Sequence, residues 1–295
     1  MFINGVMIED TFAEAFQMYG TRLIITAISP KWAMTTAQVV TGFATSVIGC
    51  GCEAGIEGMV EDTPDGRPGV SCLFFGMSKK DLEKQLLNRV GQGIMTAPTS
   101  ACYNGLDVPD RLEVGGKIRY FGDGYQISKL INGRRFWRIP VMEGEFILEE
   151  EFGVKKSVGG GNFLILGEDV PKTLEAAEAA VEAMRGVRGV ALPFPGGIVR
   201  SGSKVGSQYK FLSASTNTAY CPTIKGQVKS SLDEAVGCVL EIVIDGLDLE
   251  GVEEAMRLGI KAACKPGIVK ITAGNYGGSL GKFHLHLADI LECAL

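Results

Sequence analysis

Residues 69–95 read GVSCLFFGMSKKDLEKQLLNRVGQGIM, and residues 237–263 read GCVLEIVIDGLDLEGVEEAMRLGIKAA. Both stretches run from an apolar strand through a short turn into a helix with acidic residues near its start and a glycine late in its length. Another β-α-β pattern precedes each of them, so each half of the chain has two such units. Two units of about 30 residues per half are typical of the split β-α-β, ferredoxin-like plan. The sequence therefore predicts an α+β protein of two ferredoxin-like lobes, residues 1–150 and 151–295.

The individual elements are predicted from hydrophobic periodicity. In the first half they are strand 21–28, helix 31–40, strand 45–50, strand 69–75, helix 79–90 and strand 93–97. In the second half they are strand 162–166, helix 171–184, strand 190–193, strand 236–244, helix 249–263 and strand 267–271. Residues 112–151 are rich in strand formers and hairpin turns, and the boundary between the lobes is placed at their end. A single doubly wound sheet is the alternative, which the lack of an early G-x-G-x-x-G turn and the small number of helices disfavour.

Composition and charge exclude several classes of protein. A formal net charge of −5, from 34 acidic and 29 basic residues, argues against a nucleic-acid-binding protein. The sequence has no run of 18 apolar residues that would predict a membrane span. The start MFINGVMIED is acidic and lacks the apolar segment of a signal peptide. We therefore expect a cytoplasmic protein without a membrane-spanning segment.

The cysteines and histidines do not have the spacing of a metal site. Cys50 and Cys52 form a C-x-C pair, the other six of the eight cysteines are scattered, and no paired C-x-x-C knuckles occur. We expect reduced thiols that mostly pack in the interior. The two histidines, His284 and His286, are predicted to share one face of a strand. No G-x-S-x-G elbow is present to supply a serine nucleophile for them.

Three glycine-rich segments are candidate ligand loops: residues 42–67, 193–210 and 271–282. Forty of the 295 residues are glycine, above the usual share of about 7%. Each segment taken alone is explained by turn chemistry. Together, with the cations Arg200, Lys204 and Lys282, they predict walls around a polar, extended ligand with anionic groups. Phosphates and carboxylates fit this pattern equally well.

Three carboxylates are candidate functional groups. Glu241 interrupts the apolar run CVLEIVIDGL, so burial would raise the pKa of this group and favour a neutral acid that donates a hydrogen bond. The alternative is an edge strand on which Glu241 faces water or pairs with a lysine. Glu53 and Glu57 follow a predicted strand and are candidate ligand contacts, or else begin a short helix.

The chain resembles formylmethanofuran:tetrahydromethanopterin formyltransferase over essentially its whole length. The resemblance is carried by long motifs, namely ING-x-x-IEDTFAEAF (3–16), TGFATSVI-x-C-x-x-EAGIE (41–57), TPDGRPGV (63–70), MTAPTSA (95–101), GGNF (160–163), PFPGGIV-x-S-x-SKVG (193–206) and ITAGNYGG (271–278). The departures are confined to loop lengths, mainly in residues 58–62 and 223–235.

The resemblance implies reversible transfer of a formyl group from formylmethanofuran to N5 of tetrahydromethanopterin. It further implies two α/β lobes, a homotetramer with the substrate cleft near the subunit interface, and no cofactor beyond these two substrates. The match EIV-x-x-GL at 241–247 implies that Glu241 is the catalytic acid. The expected substrate-binding residues are Thr45, Ser46, Glu53, Glu57, Gly196, Gly197, Ser201, Lys204, Asn275 and Tyr276.

Two other functions stay open at this point. A related chain serves as a subunit in bacterial formaldehyde oxidation, which makes a scaffolding subunit of a formyltransferase/hydrolase complex the main alternative. The other is a cysteine acyltransferase that uses Cys50 or Cys52. The acidic surroundings of these thiols in the sequence argue against it, because a thiolate needs a nearby base or positive charge.

Overall fold

The computed structural model describes residues 1–292 of the chain. The elements of the first half are β1 (Phe2–Ile3), β2 (Val6–Ile8), β3 (Phe12–Thr26), α1 (Pro30–Thr41), α2 (Val47–Cys50), β4 (Glu53–Val60), β5 (Gly69–Gly76), α3 (Lys79–Arg89), β6 (Ala101–Asn104), β7 (Arg111–Leu112), α4 (Gly115–Ile118), β8 (Ile127–Ile131), β9 (Arg134–Val141) and β10 (Gly144–Glu149). Those of the second half are β11 (Phe152–Gly153), β12 (Lys155–Gly167), α5 (Val170–Met184), β13 (Val190–Ala191), β14 (Ser203–Val205), β15 (Ala214–Thr216), β16 (Cys238–Gly246), α6 (Leu249–Ala263), β17 (Ile268–Thr272), β18 (Phe283–His286) and α7 (Leu287–Glu292).

The two halves share one strand order. In the first half the strands lie side by side in the order β6-β3-β5-β4, and each pair of neighbours is antiparallel. Numbered along the chain from β3, these are the fourth, first, third and second strands of the unit. In the second half the order is β17-β12-β16-β13, again antiparallel throughout. Helices α1 and α3 cover the first sheet, and α5 and α6 cover the second, each with an apolar face in its own core. The chain thus builds the same four-stranded unit twice.

The first strands of the two units join them into one mixed sheet of 14 strands. Residues 16–20 of β3 pair antiparallel with residues 155–159 of β12. Gly159 makes room at this junction, because a Cβ there would lie 1.9 Å from Met18 Sδ and would force that buried side chain to move. The ends of the chain cross over as well: β2 pairs with β17 of the second unit, and β18 pairs with β3 of the first. These crossings bring residues 273–282 over the beginning of β3.

Local signals set the helix boundaries. The hydroxyl of Ser29 caps α1, and the carboxylates of Asp169 and Asp248 cap α5 and α6 by accepting backbone N–H groups of the first turn. The predicted helix 249–263 is confirmed with the same bounds. The hairpin expected in residues 112–151 is present, with Asn132 and Gly133 at positive φ between β8 and β9. Within residues 1–292, no helix is both long and apolar enough to cross a membrane.

Two predicted strands are wrong. Residues 45–50 form the short helix α2, because Ser46 caps it and Gly51 ends it in the left-handed conformation. The strand of this region is β4, so residues 53–60 of the glycine-rich segment 42–67 are sheet rather than loop. Residues 93–97 continue from α3 through a π-helical turn. Gly93 packs on α1 there, where a Cβ would lie 2.5 Å from Val40 Cγ1. In both places a tertiary contact or a cap overrides the apolar pattern.

Candidate active site

A cavity of about 250 Å³ opens beside β12 and β16. Two of the three glycine-rich segments supply walls to it, together with the two strands. Its lining residues are Asn162, Leu164, Val199, Arg200, Gly202, Ser203, Lys204, Thr216, Asn217, Tyr220, Cys221, Val239, Glu241, Gly274, Asn275 and Tyr276. Polar side chains outnumber apolar ones among these residues, and two of them are the cations Arg200 and Lys204.

Glu241 is held rigidly at the wall of this cavity. Its strand pairs with β12 on one side, and on the other its N–H and C=O bond to Val199 at 2.9 and 2.7 Å. The residue is therefore in the interior of the sheet, which excludes the edge-strand alternative. Gly202 gives the carboxyl room, because a Cβ at that position would lie 2.9 Å from Glu241 Oε2.

The carboxyl of Glu241 has no ion-pair or hydrogen-bond partner within residues 1–292. Burial alone raises its pKa to about 7. Near neutrality a large fraction of this group is therefore a neutral acid with an O–H to donate. An uncharged acid beside polar side chains can stabilise an oxyanion as it forms.

The neighbours of Glu241 are fixed by hydrogen bonds. Asn162 Oδ1 accepts the Gly274 N–H at 2.6 Å, and its Nδ2 donates to the carbonyls of Gly160 and Gly274 at 3.0 and 3.2 Å. Lys204 Nζ donates to Ser215 Oγ at 2.9 Å. Burial raises the pKa of Tyr276, and the nearby carboxylates of Glu241 and Glu14 add to this effect. The site thus presents amide, phenol and ammonium groups around one carboxylic acid.

A second cavity of about 900 Å³ lies between the two halves. It is bounded by α1, β4, α5 and the loop that follows β13. The loop is common to both cavities: residues 193–197 line the second, and Val199 and residues 202–204 line the first. Four of the predicted substrate-binding residues lie here, namely Thr45, Glu57, Gly196 and Gly197.

The structure separates the predicted site residues into three groups. Lys204, Asn275 and Tyr276 line the cavity of Glu241. Four residues line the second cavity, as given above. The remaining three line neither cavity and occupy other places: Ser46 caps α2, Glu53 is buried between the halves, and Ser201 is exposed.

The negative charge of Glu57 is compensated by partners inside the protein, although this residue lines the second cavity. Its oxygens accept from Arg22 Nε and Nη2 at 2.7 and 2.6 Å, from Ser71 Oγ at 2.6 Å and from the Gly189 N–H at 2.6 Å. Burial raises the pKa of Glu57, but these bonds outweigh it and leave the pKa lowered. Glu57 is a charged carboxylate that joins strands of the first half to the segment before β13.

The thiols of the C-x-C pair lie outside both cavities. Cys52 is buried, and burial raises its pKa. Burial also raises the pKa of Cys50, but hydrogen bonds from Ser46 and Thr45, helped by the charge of Arg89, leave it lowered. The sequence predicts acidic surroundings for these thiols, and the structure places an acid and a cation there: Glu53 raises the pKa of Cys52, and Arg89 of α3 lowers the pKa of both thiols. Among residues 1–292, no group of three or more His, Cys, Asp and Glu side chains is placed to hold a metal ion.

The sequence did not single out Asn162 and Tyr220, which line the cavity of Glu241, or Glu14, which lies close to Tyr276. Asn162 stands in GGNF and Glu14 in EDTFAEAF, two of the motifs that carry the family resemblance, so membership in a motif was the available signal. No feature of the sequence indicates that Tyr220 lines the cavity, because it lies in the irregular segment 217–224, whose path cannot be predicted from the sequence.

The chain matches two family models. Residues 1–141 match the model described as formylmethanofuran-tetrahydromethanopterin formyltransferase, and residues 144–290 match the model of the proximal lobe of the same enzyme. A formylmethanofuran–tetrahydromethanopterin formyltransferase of Methylococcus capsulatus is 58% identical, over 99% of this chain and 100% of that protein.

Two solved structures are also similar. A formylmethanofuran:tetrahydromethanopterin formyltransferase from Methanosarcina barkeri superposes with a TM-score of 0.93 at 48% identity, over 98% of this chain and 100% of that one. A chain of the formyltransferase/hydrolase complex from Methylorubrum extorquens, solved with methylofuran, has a TM-score of 0.96 at 53% identity, over 99% of both chains. The chain therefore belongs to the formylmethanofuran–tetrahydromethanopterin formyltransferase family.

Proposed function

We propose that this enzyme transfers a formyl group reversibly between the amine of formylmethanofuran and N5 of tetrahydromethanopterin. We assign the reaction centre to Glu241. This carboxyl lines a cavity rich in polar side chains and has no charged partner within residues 1–292, and burial raises its pKa to about 7. In the forward direction the pterin nitrogen attacks the formyl carbon, and the C=O electron pair moves to oxygen. The carboxylic acid of Glu241 donates a hydrogen bond to that oxygen. When C=O forms again, the bond to the methanofuran nitrogen breaks, and that nitrogen takes up the proton released by the pterin.

The other predicted residues have binding roles in this proposal. Lys204 and Arg200 attract anionic parts of a substrate, while Asn275 and Tyr276 contact polar groups near the reacting carbon. Thr45, Glu57, Gly196 and Gly197 contact a substrate in the second cavity, along the loop that the two cavities share. Orientation of two bound substrates lowers the barrier of such a transfer by up to about 7 to 11 kcal/mol. Exchange of a formyl group between two amines changes no oxidation state, so the proposal contains no cofactor or metal beyond the two substrates.

We further propose that the two four-stranded units are ferredoxin-like lobes, residues 1–150 and 151–295, and that the protein is a cytoplasmic homotetramer. The strand order fourth, first, third, second supports the ferredoxin-like description. The alternative assembly is a subunit of a formyltransferase/hydrolase complex, favoured by the similarity to the Methylorubrum extorquens chain. Gel filtration combined with a transfer assay separates them: an active homotetramer supports the first, and activity only with added partner subunits supports the second.

The Glu241→Ala variant tests the catalytic role. We expect a loss of about 2 to 3 kcal/mol of transition-state stabilisation, a fall of roughly 30- to 150-fold in kcat. Glu241→Gln keeps an N–H donor and retains part of the rate. Glu234→Ala, which changes an exposed acid that does not line the cavity, is the matched control. Near-wild-type turnover of Glu241→Ala, with formylated pterin measured by chromatography, would remove the assignment.

A further inference from the structure

The loop between β17 and β18 folds over the carboxylate of Glu14. This carboxylate, on β3, accepts the N–H groups of Tyr276 and Gly278 at one oxygen, at 2.6 and 2.9 Å. Its other oxygen accepts those of Leu280 and Gly281 at 2.6 and 2.5 Å. A single side chain therefore organises six consecutive residues of the loop.

Glu14 is a buried charge without a cation. The residue is only 1% exposed, and no lysine or arginine of residues 1–292 forms a salt bridge with it. Burial raises the pKa of Glu14, but the four backbone bonds outweigh it and hold the pKa at about 2. The negative charge is thus balanced by peptide dipoles of the loop, and the loop conformation depends on that charge.

The glycines of the loop are fitted to this arrangement. Gly277 and Gly278 have φ of 71° and 73°, the left-handed region that turns successive N–H groups inward. Gly281 passes so close that a Cβ would lie 2.6 Å from Glu14 Cγ. Asn275 is tied down at the same time, because its Nδ2 donates to Thr11 Oγ1 and to the Phe12 carbonyl at 3.2 Å each.

The residues fixed in this way form one wall of the cavity of Glu241. Tyr276 donates its N–H to Glu14 and also lines the cavity. Gly274 and Asn275, which come just before it, line the cavity too. The anion-binding N–H groups of the loop are already occupied by an internal carboxylate. An anionic substrate must therefore be recognised by side chains such as Lys204 and Arg200 rather than by this backbone.

We propose that Glu14 is a positioning residue for formyl transfer: by accepting the N–H of Tyr276 and of three further loop residues, it holds the loop that carries Asn275 and Tyr276 beside the reacting carbon. The expected loss of activity rests on the proposed function, whereas the expected loosening of the loop rests on the loop geometry alone.

The test compares Glu14→Gln with the wild-type chain by hydrogen exchange and by steady-state kinetics. A carboxamide places an NH₂ donor against two of the four loop N–H groups, so we expect exchange at residues 276–281 to accelerate at least tenfold. We expect kcat/KM to fall at least tenfold at a temperature at which the variant is fully folded, while exchange in α1 and α3 does not change.

Glu149→Gln is the matched control. Glu149 is also buried, and it accepts from Arg134 and from the Asn104 N–H, away from both cavities. We expect this variant to lose stability without a change in kcat/KM. If Glu14→Gln does not fold, Gly278→Ala strains the loop at positive φ while keeping the carboxylate, and should give the same local exchange and the same kinetic loss.

Unchanged exchange at residues 276–281, or wild-type kinetics in a folded Glu14→Gln, would overturn the proposal. A failure of the proposed function is distinguishable from this result. In that case the wild-type chain itself would transfer no formyl group, while the hydrogen-exchange comparison would still report whether Glu14 holds the loop.

Discussion

The carboxyl of Glu53, the first residue of β4, lies against the carboxyl of Asp245 near the end of β16, close enough for each acid to shift the pKa of the other. Both are buried, with exposures of 8% and 0%. Asp245 Oδ1 also accepts the Gly160 N–H at 2.9 Å, and Glu53 Oε1 accepts the Val47 N–H at 3.0 Å. Burial raises the pKa of both groups, and the neighbouring acid raises that of Asp245 further. Two acids from different halves of the chain therefore meet at their junction. No donor of residues 1–292 reaches Asp245 Oδ2, and the raised pKa favours a neutral Asp245 there.

Asp245→Asn should flatten the dependence of stability on pH. A buried acid with a raised pKa keeps its proton in the folded state and releases it on unfolding. The stabilisation that Asp245 contributes is thus fully present below its ordinary pKa of 3.8, and it is lost as the pH rises toward the pKa of Asp245 in the folded state. The carboxamide donates to Glu53 at any pH and removes this loss. Urea midpoints from pH 5 to pH 9 should fall with pH in the wild-type chain and fall less in the variant, and equal slopes would contradict the raised pKa of Asp245.

This pair shows where sequence reasoning ends. Glu53 was expected to contact a substrate, because it follows an apolar run in a glycine-rich segment. Its partner is far away in the sequence, and the packing of β4 against β13, which pairs with β16, brings the two together. The raised pKa of Glu241 was predictable, because an acid inside an apolar strand is a local signal. The bounds of α6 were also predictable from a local signal, because its apolar residues recur on one face of the helix over four turns.

The division of the site into two cavities could not be predicted from the residues. Gly197 and Val199 are neighbours in one loop, yet they face different cavities. The path of that loop depends on the Val199–Glu241 bridge, which has no signature in local sequence. Residue types in glycine-rich loops indicate a polar ligand site, whereas tertiary pairing decides which residues meet.

Glu57→Gln should destabilise the protein strongly. The Arg22–Glu57 pair has side-chain exposures of only 16% and 9%, and removing one charge leaves Arg22 buried and uncompensated. We expect a loss of about 3 kcal/mol in the free energy of unfolding. The control is Glu145→Gln, which breaks a similar pair with Arg138 at exposures of 47% and 42% and should cost less than about 1 kcal/mol. Urea denaturation measures both, and equal losses would show that the buried pair has no special role.

Lys204→Ala should weaken substrate binding more than catalysis. Lys204 lines the cavity of Glu241 and would face an anionic group of the substrate, so we expect KM to rise about tenfold, equivalent to about 1.4 kcal/mol, with kcat nearly unchanged. The rise should shrink at high salt, which already screens the charge. Lys129→Ala, on the exposed strand β8, is the matched control. A fall in kcat at constant KM would instead place Lys204 in the chemical step.

The pH dependence of kcat in the wild-type chain and in Glu241→Gln tests the central claim most directly. Burial raises the pKa of Glu241 to about 7, so the donating acid is present below that pH and is lost above it. We predict that wild-type kcat falls about tenfold per pH unit well above pH 7, since only the protonated form donates. Glu241→Gln should show a lower but flat profile over the same range. A wild-type rate that is constant from pH 6 to pH 9, or a decline of the same shape in Glu241→Gln, would contradict a protonated Glu241 as the donor.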